Sequence, residues 1–507
     1  MCLYIDIAML AMSFLNDLYS SVNVVPFVAA VVGLLFLYWY QRPKNFPPGP
    51  RGIPLLGTIP FTGKYVERAA AKWSKHIYGP VMALRLGRDD VIVLNNLDSI
   101  NKALVKQHTT FSGRPRNAFI EDVVKGGIVF VEGNFWKSQR KFGLLTLRGL
   151  GVGKKSMEEY VATEASYFNE AVRSENGKGF DISTLLHKAI SNNICSVIFG
   201  KRYEYDDKEF EVILNRFVHV FDDPLSAAAA RMVAFSPYFK KIPPFSFAQY
   251  KFLKNSAITA KFVKDIVQEH RDSYDQGNLR DFMDAFLKEQ QAGGSEDFSD
   301  EQLLHYISEL FIAGTETTSS TLNWALICLL HYPETQRNLR KEINRVIDAY
   351  GNVCMYHKPN MPYTNAFIQE LMRYRTLAPL SVPHKTTESS ELNGYFIPKG
   401  TTILPNLWAV HNDPDYWNEP DKFKPERFLD NDGQFVSSNH VIPFSVGPRH
   451  CLGEQLARTE IFIFLISLLQ KFDILPDPDA KELPDINGGT GGLACVPNPY
   501  RVSAKEL

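Results

Sequence analysis

The sequence predicts a mainly α-helical protein with a minor β region, carried behind a short apolar N-terminal segment. Three observations lead there. Apolar residues recur at three- and four-residue steps over 156–174, 182–199, 207–221, 257–274, 280–290, 299–331 and 334–349, the period of helices with one buried face. Alternation with period two is confined to Val81–Asn95, where Gly87 to Asp90 reads as a hairpin turn, to about 384–405, and to the glycine-rich C-terminal tail. The third is the apolar run Val24 to Tyr40, interrupted only by Pro26 near its start.

That run sits at the lower limit of about 17 residues for a spanning helix, and Val22 could extend it. It ends in Tyr38-Trp39-Tyr40, an interfacial aromatic belt. Lys and Arg are missing from residues 1–21, whereas Arg42, Lys44 and Arg51 follow the run. The positive-inside rule then predicts a luminal N-terminus and anchor over 1–41, with the rest of the chain in the cytosol. A cleaved secretory signal is the alternative; it needs a basic n-region and a small-residue cleavage site, and bulky aromatics end this segment. Pro47-Pro48-Gly49-Pro50, with Gly52, Pro54 and Gly57, cannot continue a helix and predicts a stiff hinge over 42–57. The globular body is then 58–507.

A net charge of −1 removes any global case for nucleic-acid binding. The six cysteines are widely spaced without a C-x-x-C pair, which argues against a disulfide framework or a zinc site. Gly149 to Ser156 resembles a phosphate loop, but Walker spacing needs Gly at Arg148 and Ser or Thr at Lys155. Gly488 to Gly492 runs into Cys495-Val496-Pro497 rather than a helix. Without a dinucleotide or flavin fingerprint, any electrons must come from another protein.

Chemistry concentrates in Phe444-Ser445-Val446-Gly447-Pro448-Arg449-His450-Cys451-Leu452-Gly453. Two glycines and a proline make a tight loop, and the apolar residues from Leu456 to Leu469 predict a buried helix after it. Cys451 therefore sits at a helix N-terminus, where unpaired N–H groups and the dipole favour a thiolate. Arg449 adds a positive charge nearby, and Phe444 can shield the sulfur. The bland alternative is a small buried hydrophobe.

The pattern Phe-x-x-Gly-x-Arg-x-Cys-x-Gly resembles the haem-thiolate loop of the cytochrome P-450 monooxygenases, and the likeness extends over nearly the whole chain after Pro47. It implies the cytochrome P-450 fold, with Cys451 as axial ligand of haem b (iron protoporphyrin IX), and Phe444, Gly453 and Ala313 against the cofactor. Trp136 and Arg140, at i and i+4 on one helix face, can present an indole N–H and a guanidinium to a carboxylate. By themselves they could equally be a surface cation–π contact. The resemblance assigns them to a haem propionate, together with Arg114, His384 and Arg449.

A helix from Ser299 to about Leu330 is predicted, with Ser299 as N-cap and Gln302 completing a capping box. Inside it, Ala313-Gly314-Thr315-Glu316-Thr317-Thr318 interrupts an apolar run. Such a cluster suits a groove over the iron, Gly314 permitting close approach and Thr317 hydrogen-bonding dioxygen. The resemblance makes Glu316 and Thr317 the proton-delivering pair; the alternative is a hydroxyl back-bonding to the preceding turn. Glu370 and Arg373 share a helix face, and the family completes them with an arginine of a Pro-Glu-Arg-Phe segment, here Arg427, as a buried structural clamp.

The resemblance further implies an apolar substrate pocket lined by Ile128, Phe130, Phe311, Leu377, Leu380, Val382 and Leu493, and one oxygen atom of O2 inserted into a fatty acid, steroid or foreign lipophile. Electrons would come from NADPH through a membrane-bound flavoprotein reductase, with cytochrome b5 as a second donor, docking near Lys137, Arg140, Lys141, His450 and Arg458. An ordinary solvated basic face is the alternative for those residues. The branch resembled is the animal microsomal one, at the endoplasmic reticulum. The aromatics of 237–247 beside Lys240 and Lys241 suit a loop dipping into the membrane, or a linker over the core. Relatives that isomerise lipid peroxides without a reductase, and a non-enzymatic haem carrier or sensor, are the competing functions.

Overall fold

A helix of 32 residues, Asp300–His331, runs through the molecule, and at about 1.5 Å per residue it is on the order of 48 Å long. The computed structural model describes residues 28–31, 33 and 40–507 other than 55, 88, 117–125, 218–240, 294–296 and 349–350. Most of the expected anchor over 24–40 lies outside the described residues, as do 237–240 of the membrane-loop segment. Among the described residues no helix is long and apolar enough to cross a membrane.

In chain order the main helices are α1 (Val66–Trp73), α2 (Gly133–Gly149), α3 (Lys155–Ser174), α4 (Ile182–Phe199), α5 (Lys208–Phe217), α6 (Phe245–Asp272), α7 (Phe282–Gln291), α8 (Asp300–His331), α9 (Pro333–Val346), α10 (Pro362–Tyr374), α11 (Leu407–His411) and α12 (Glu454–Lys471). Several begin as their sequences dictate. Asp181 accepts from the N–H groups of Ser183 and Thr184, Asp281 from Asp284, and Ser299 from Gln302, each satisfying donors that a helix start leaves open. Gly200 closes α4 in the left-handed region.

Strands β1 (Val81–Leu86), β2 (Asp89–Leu94), β3 (His384–Lys385) and β6 (Thr402–Pro405) form one sheet in the order β1-β2-β6-β3, with β2 and β6 parallel. β4 (Ser390–Leu392) pairs with β5 (Tyr395–Ile397), and β7 (Phe472–Pro476) with β8 (Val502–Glu506). The predicted hairpin is β1–β2, in register from Val81↔Leu94 to Leu86↔Asp89.

The main apolar core joins α3, α4, α8 and α12, where Phe168, Ile190, Phe311, Trp324, Phe462 and Leu465 are buried. α8 lies along α4, and Gly314 makes that approach possible. A Cβ there would come 2.5 Å from Ile194 Cδ1. Gly314 thus admits a neighbouring helix, not a cofactor, because it lies about 100° around α8 from Ala313.

The 42–57 stretch, expected as a stiff hinge, is tied to the sheet: Ala83 N donates to Pro48 O at 2.8 Å, and Arg42 reaches Gly49 O at 2.9 Å and Asp90. Gly49 meets Ala83 O so closely that a Cβ would lie 1.8 Å from it, so the segment is stitched to β1. The helix expected from 257 starts at Phe245, after Pro243-Pro244, since proline is tolerated at a helix start. Gln302 does not close a capping box: its amide bridges Gly127 and Gln139, because a buried amide is satisfied by whatever packs on it.

Candidate functional site

Cys451 closes a loop pinned by backbone geometry. Ser445 and Gly447 have φ of 61° and 79°; a Cβ on Gly447 would lie 2.0 Å from Leu104 O, so only glycine fits. Cys451 N donates to Phe444 O at 3.0 Å, and Gly453 is the N-cap of α12. Cys451 is exposed although protein packs around much of it. Burial raises the thiol pKa; the Gly453 N–H, Arg140 and Arg458 oppose that, while Glu454 adds to it. The sequence expectation of a thiolate stabilised by the helix N-terminus and Arg449 is corrected: burial wins, and the nearby cations are Arg140 and Arg458. A metal ion at the sulfur would itself deprotonate it.

Arg449 turns elsewhere. Its guanidinium lies 3.9 Å over the Trp136 ring and donates to Ser112 O at 3.1 Å and Val131 O at 2.7 Å. Arg114 donates to Val129, Val382 and Pro383 carbonyls. Burial lowers the Arg114 pKa to about 10, with Arg140 adding to the effect, and lowers Arg449 to about 9, with Arg114 adding. Buried cations that repel one another require anions. Glu132 and Glu309 supply part of that charge, and Glu132 is also paired to Lys385 at 2.8 Å. His384 is held well below its ordinary pKa by burial and then Arg114, with Nδ1 2.8 Å from Phe111 O. Since a carbonyl only accepts, Nδ1 carries the proton, and Nε2 could donate to a carboxylate only by taking a second one. Arg140 is directed to the thiol loop, donating to His450 O at 2.7 Å, and its indole neighbour Trp136 is 6.0 Å away. A groove of about 550 Å³ lined by Arg116, Val131, Glu132, Phe135 and Lys385 adjoins this cluster.

Across α8 the hydroxyl cluster divides. Ala313 and Thr317 are exposed on a helix whose other faces are largely buried, an i, i+4 strip facing open space. Thr317 Oγ1 donates to Ala313 O at 2.7 Å, which is the back-bonding alternative, so on its open side it offers lone pairs. Glu316 points away: Oε1 accepts from Ser320 at 2.9 Å, and Oε2 lies 3.3 Å from His187 Nε2 on α4. Thr315 accepts from Ser191 Oγ at 3.1 Å. Glu316 and Thr317 are adjacent in sequence but serve different faces.

The clamp residues meet. Arg373 donates to Glu370 through Nε at 2.7 Å and Nη2 at 2.8 Å, both side chains fully buried, and Arg427 Nε reaches Glu370 Oε1 at 3.1 Å. Arg373 also donates to His411 O at 2.8 Å and Pro420 O at 3.0 Å. His411, missed in the sequence, connects this clamp to the thiol loop. Its Nε2 accepts from Ile442 N at 2.8 Å and its Nδ1 lies 2.8 Å from Thr376 Oγ1. Burial lowers its pKa to about 3, so it is neutral, with Nδ1–H toward Thr376. A histidine in an apolar short helix carried no spacing signal.

The expected pocket residues are only partly gathered. Leu377, Val382 and Phe130 are half-buried and Leu493 is 59% exposed. Leu380 packs on the sheet beside Met82 and Leu404, and Ile128 joins the main core. Phe311 is fully buried, because two residues is about 200° of helix from Ala313. The residue at i−4 from Ala313 is Glu309, which accepts from the N–H groups of Ile128 at 2.5 Å and Val129 at 2.9 Å. Its Oε1 is buried without a partner, and burial raises its pKa to about 7. The i−4 spacing could have revealed it.

A thiol at a loop–helix junction, a strip of open surface on a buried helix, and desolvated guanidiniums short of anions suit a flat iron cofactor with two carboxylates. That combination defines a haem-thiolate protein. The family model described as "Cytochrome P450" matches residues 47–504. Relatives include cytochrome P450 2J3 of Rattus norvegicus, 38% identical over 477 residues covering 92% of this chain and 94% of the relative. Cytochrome P450 2J2 of Homo sapiens is 39% identical over 446 residues, covering 87% and 88%. Cytochrome P450 2B2 of Rattus norvegicus is 36% identical over 482 residues, covering 94% and 97%. The chain belongs to the cytochrome P450 family and is a haem monooxygenase.

Proposed function

We propose that the protein is a membrane-anchored monooxygenase of the endoplasmic reticulum, its body in the cytosol, that hydroxylates or epoxidises a lipophile with electrons from NADPH. The observation that carries this is the open side of Cys451 beside a cation cluster short of anions, with the bare Ala313–Thr317 strip on α8. Cys451 would hold haem b, and Arg114, Trp136, His384 and Arg449 would hold its propionates. When bound, the haem supplies dioxygen activation, and its thiolate ligand favours O–O cleavage.

The chain's own residues do the rest. Two propionate charges would neutralise the Arg114–Arg449 repulsion and give His384 reason to become a two-donor imidazolium. Arg140 and Arg458 lie near the sulfur and stabilise its anionic form. Thr317 presents hydroxyl lone pairs to the groove, and Glu316 carries the proton that replenishes it. Leu377, Val382 and Leu493 offer apolar contact to a lipophile. Ile242, Phe247 and Tyr250 are exposed around the start of α6, which supports contact with the membrane interface. Lys137 and Lys141, exposed on α2, with Arg140, His450 and Arg458, would receive the reductase, and cytochrome b5 as a second donor.

A reduced, CO-bound spectrum of the purified full-length protein tests the assignment. A thiolate-type band that changes to a histidine-type or unligated one in Cys451→Ser supports it. A histidine-type spectrum in active wild-type protein overturns it. A screen of fatty acids, steroids and foreign lipophiles for the spectral shift of displaced water then sorts the substrate class.

A further inference from the structure

We propose that His187 is the positioning residue that latches Glu316 and supplies its proton, linking the interior of α8 to the protein surface. This rests on Glu316 and Thr317 being the proton-delivering residues. His187 sits on α4, outside every motif of the sequence, with Nδ1 2.8 Å from Ser183 O and Nε2 3.3 Å from Glu316 Oε2.

The bond pattern fixes the protons. Ser183 O can only accept, so Nδ1 bears hydrogen. A hydrogen bond between Nε2 and a carboxylate oxygen then needs one further proton, on Nε2 or on Oε2. The pair therefore shares a single mobile proton. Passing it breaks the Nε2–H bond and forms Oε2–H, converting imidazolium and carboxylate to imidazole and neutral acid. The neutral acid loses its ionic hold on His187, keeps only the Ser320 hydroxyl, and can turn toward the Thr317 side. A proton from solvent water or buffer then restores the imidazolium. The side chains are 14% and 21% exposed, which leaves His187 an edge for that refill while most of the pair is shielded.

Charged groups on the elements packed against α4 have partners of their own, apart from Glu460 of α12, which faces Asn193 and Thr318. Glu164 of α3 binds Arg202, Tyr205 and Asn192, and Lys188 donates to Tyr205 O. Asp281, just before α7, pairs with His270, and Asp284 of α7 with Arg280. Glu316 is the acid of α8 that faces His187.

Two variants separate latch from relay. Gln in H187Q can still donate a hydrogen bond to Glu316 but has no proton to pass; H187A removes both functions. Full-length holoenzymes with normal haem content and CO spectrum are reconstituted with reductase and the lipophile of largest spectral shift. H187Q should give about tenfold less product per NADPH, with hydrogen peroxide rising in its place and lipophile affinity unchanged. The H187Q/E316Q double variant should be no worse than E316Q. Independently of turnover, hydrogen–deuterium exchange at the His187 C2 position, followed by peptide mass spectrometry, should differ in its pH profile between wild type and E316Q. Wild-type coupling in H187Q with impaired E316Q overturns the relay and leaves the Glu316 reading standing. Wild-type coupling in both E316Q and T317A overturns that reading and the relay with it. Equal His187 titration in wild type and E316Q overturns the shared proton.

Discussion

The clamp around Glu370 and the seam where α4, α8 and α12 meet are both buried and polar, yet they handle charge in opposite ways. In the clamp, one carboxylate meets two guanidiniums and the Lys424 N–H, and Arg373 spends its remaining donors on the His411, Pro420 and Lys422 carbonyls. In the seam, Glu460 is fully buried with only the neutral side chains of Asn193 and Thr318 beside it. Burial raises the Glu460 pKa to about 8, with Asn193 and Thr318 acting the other way. The clamp holds fixed charges and is built to stay; the seam holds an acid that keeps its proton near neutrality.

The largest expected effect is on the clamp. Arg373→Ala leaves Glu370 buried with only Arg427, and should cost about 3–5 kcal/mol, read as a lower thermal midpoint and loss of haem incorporation. Normal haem content in that variant would break the contrast. The seam should respond with the opposite sign. In the folded state Glu460 keeps a proton up to about pH 8 that the unfolded chain releases near its ordinary carboxylate pKa. Stability therefore falls as pH rises between the two. Glu460→Gln should match wild type near pH 4.5 and gain on the order of 2 kcal/mol by pH 8, measured by urea unfolding across that range.

His411→Ala should cost about 1–3 kcal/mol by leaving the Ile442 N–H without its acceptor, and should quicken haem loss, since Ile442 leads into the thiol loop. The smallest effect lies away from both regions. His270, 2.9 Å from Asp281, has a raised pKa despite burial, which works against the charge. Its contribution is complete below the unfolded histidine pKa of about 6.5 and is lost as pH rises through the higher folded value. His270→Gln should therefore cost up to about 1 kcal/mol at pH 6 and close to nothing at pH 9, by the same unfolding assay.

The helices from 155 to 346 were legible because each has a periodic apolar face, and the caps at Asp181, Asp281 and Ser299 follow from short polar side chains before apolar runs. The site was legible as a residue list and less so as an arrangement. Ala313-Gly314-Thr315-Glu316-Thr317-Thr318 read as one groove, but 100° per residue deals those side chains to three neighbours. Ile194 claims Gly314, His187 claims Glu316, and only Ala313 and Thr317 stay on the open strip. Phe311 turns into the core for the same reason, and Arg449 turns from the sulfur because its guanidinium meets Trp136 and three carbonyls.

By itself the sequence determined the local pattern: one cysteine before a helix, an acid and hydroxyls inside an apolar helix, and an acid–arginine pair matched to a second arginine. Local spacing carries that information because helix period and loop chemistry act over a few residues. Only the tertiary structure decided where those groups point and what charge they keep. Burial overrides the helix terminus at Cys451, and partners from distant segments, His187 for Glu316 and His411 for the thiol loop, decide how those groups are held. Desolvation and long-range contacts set those energies, and neither is written in any run of neighbouring residues.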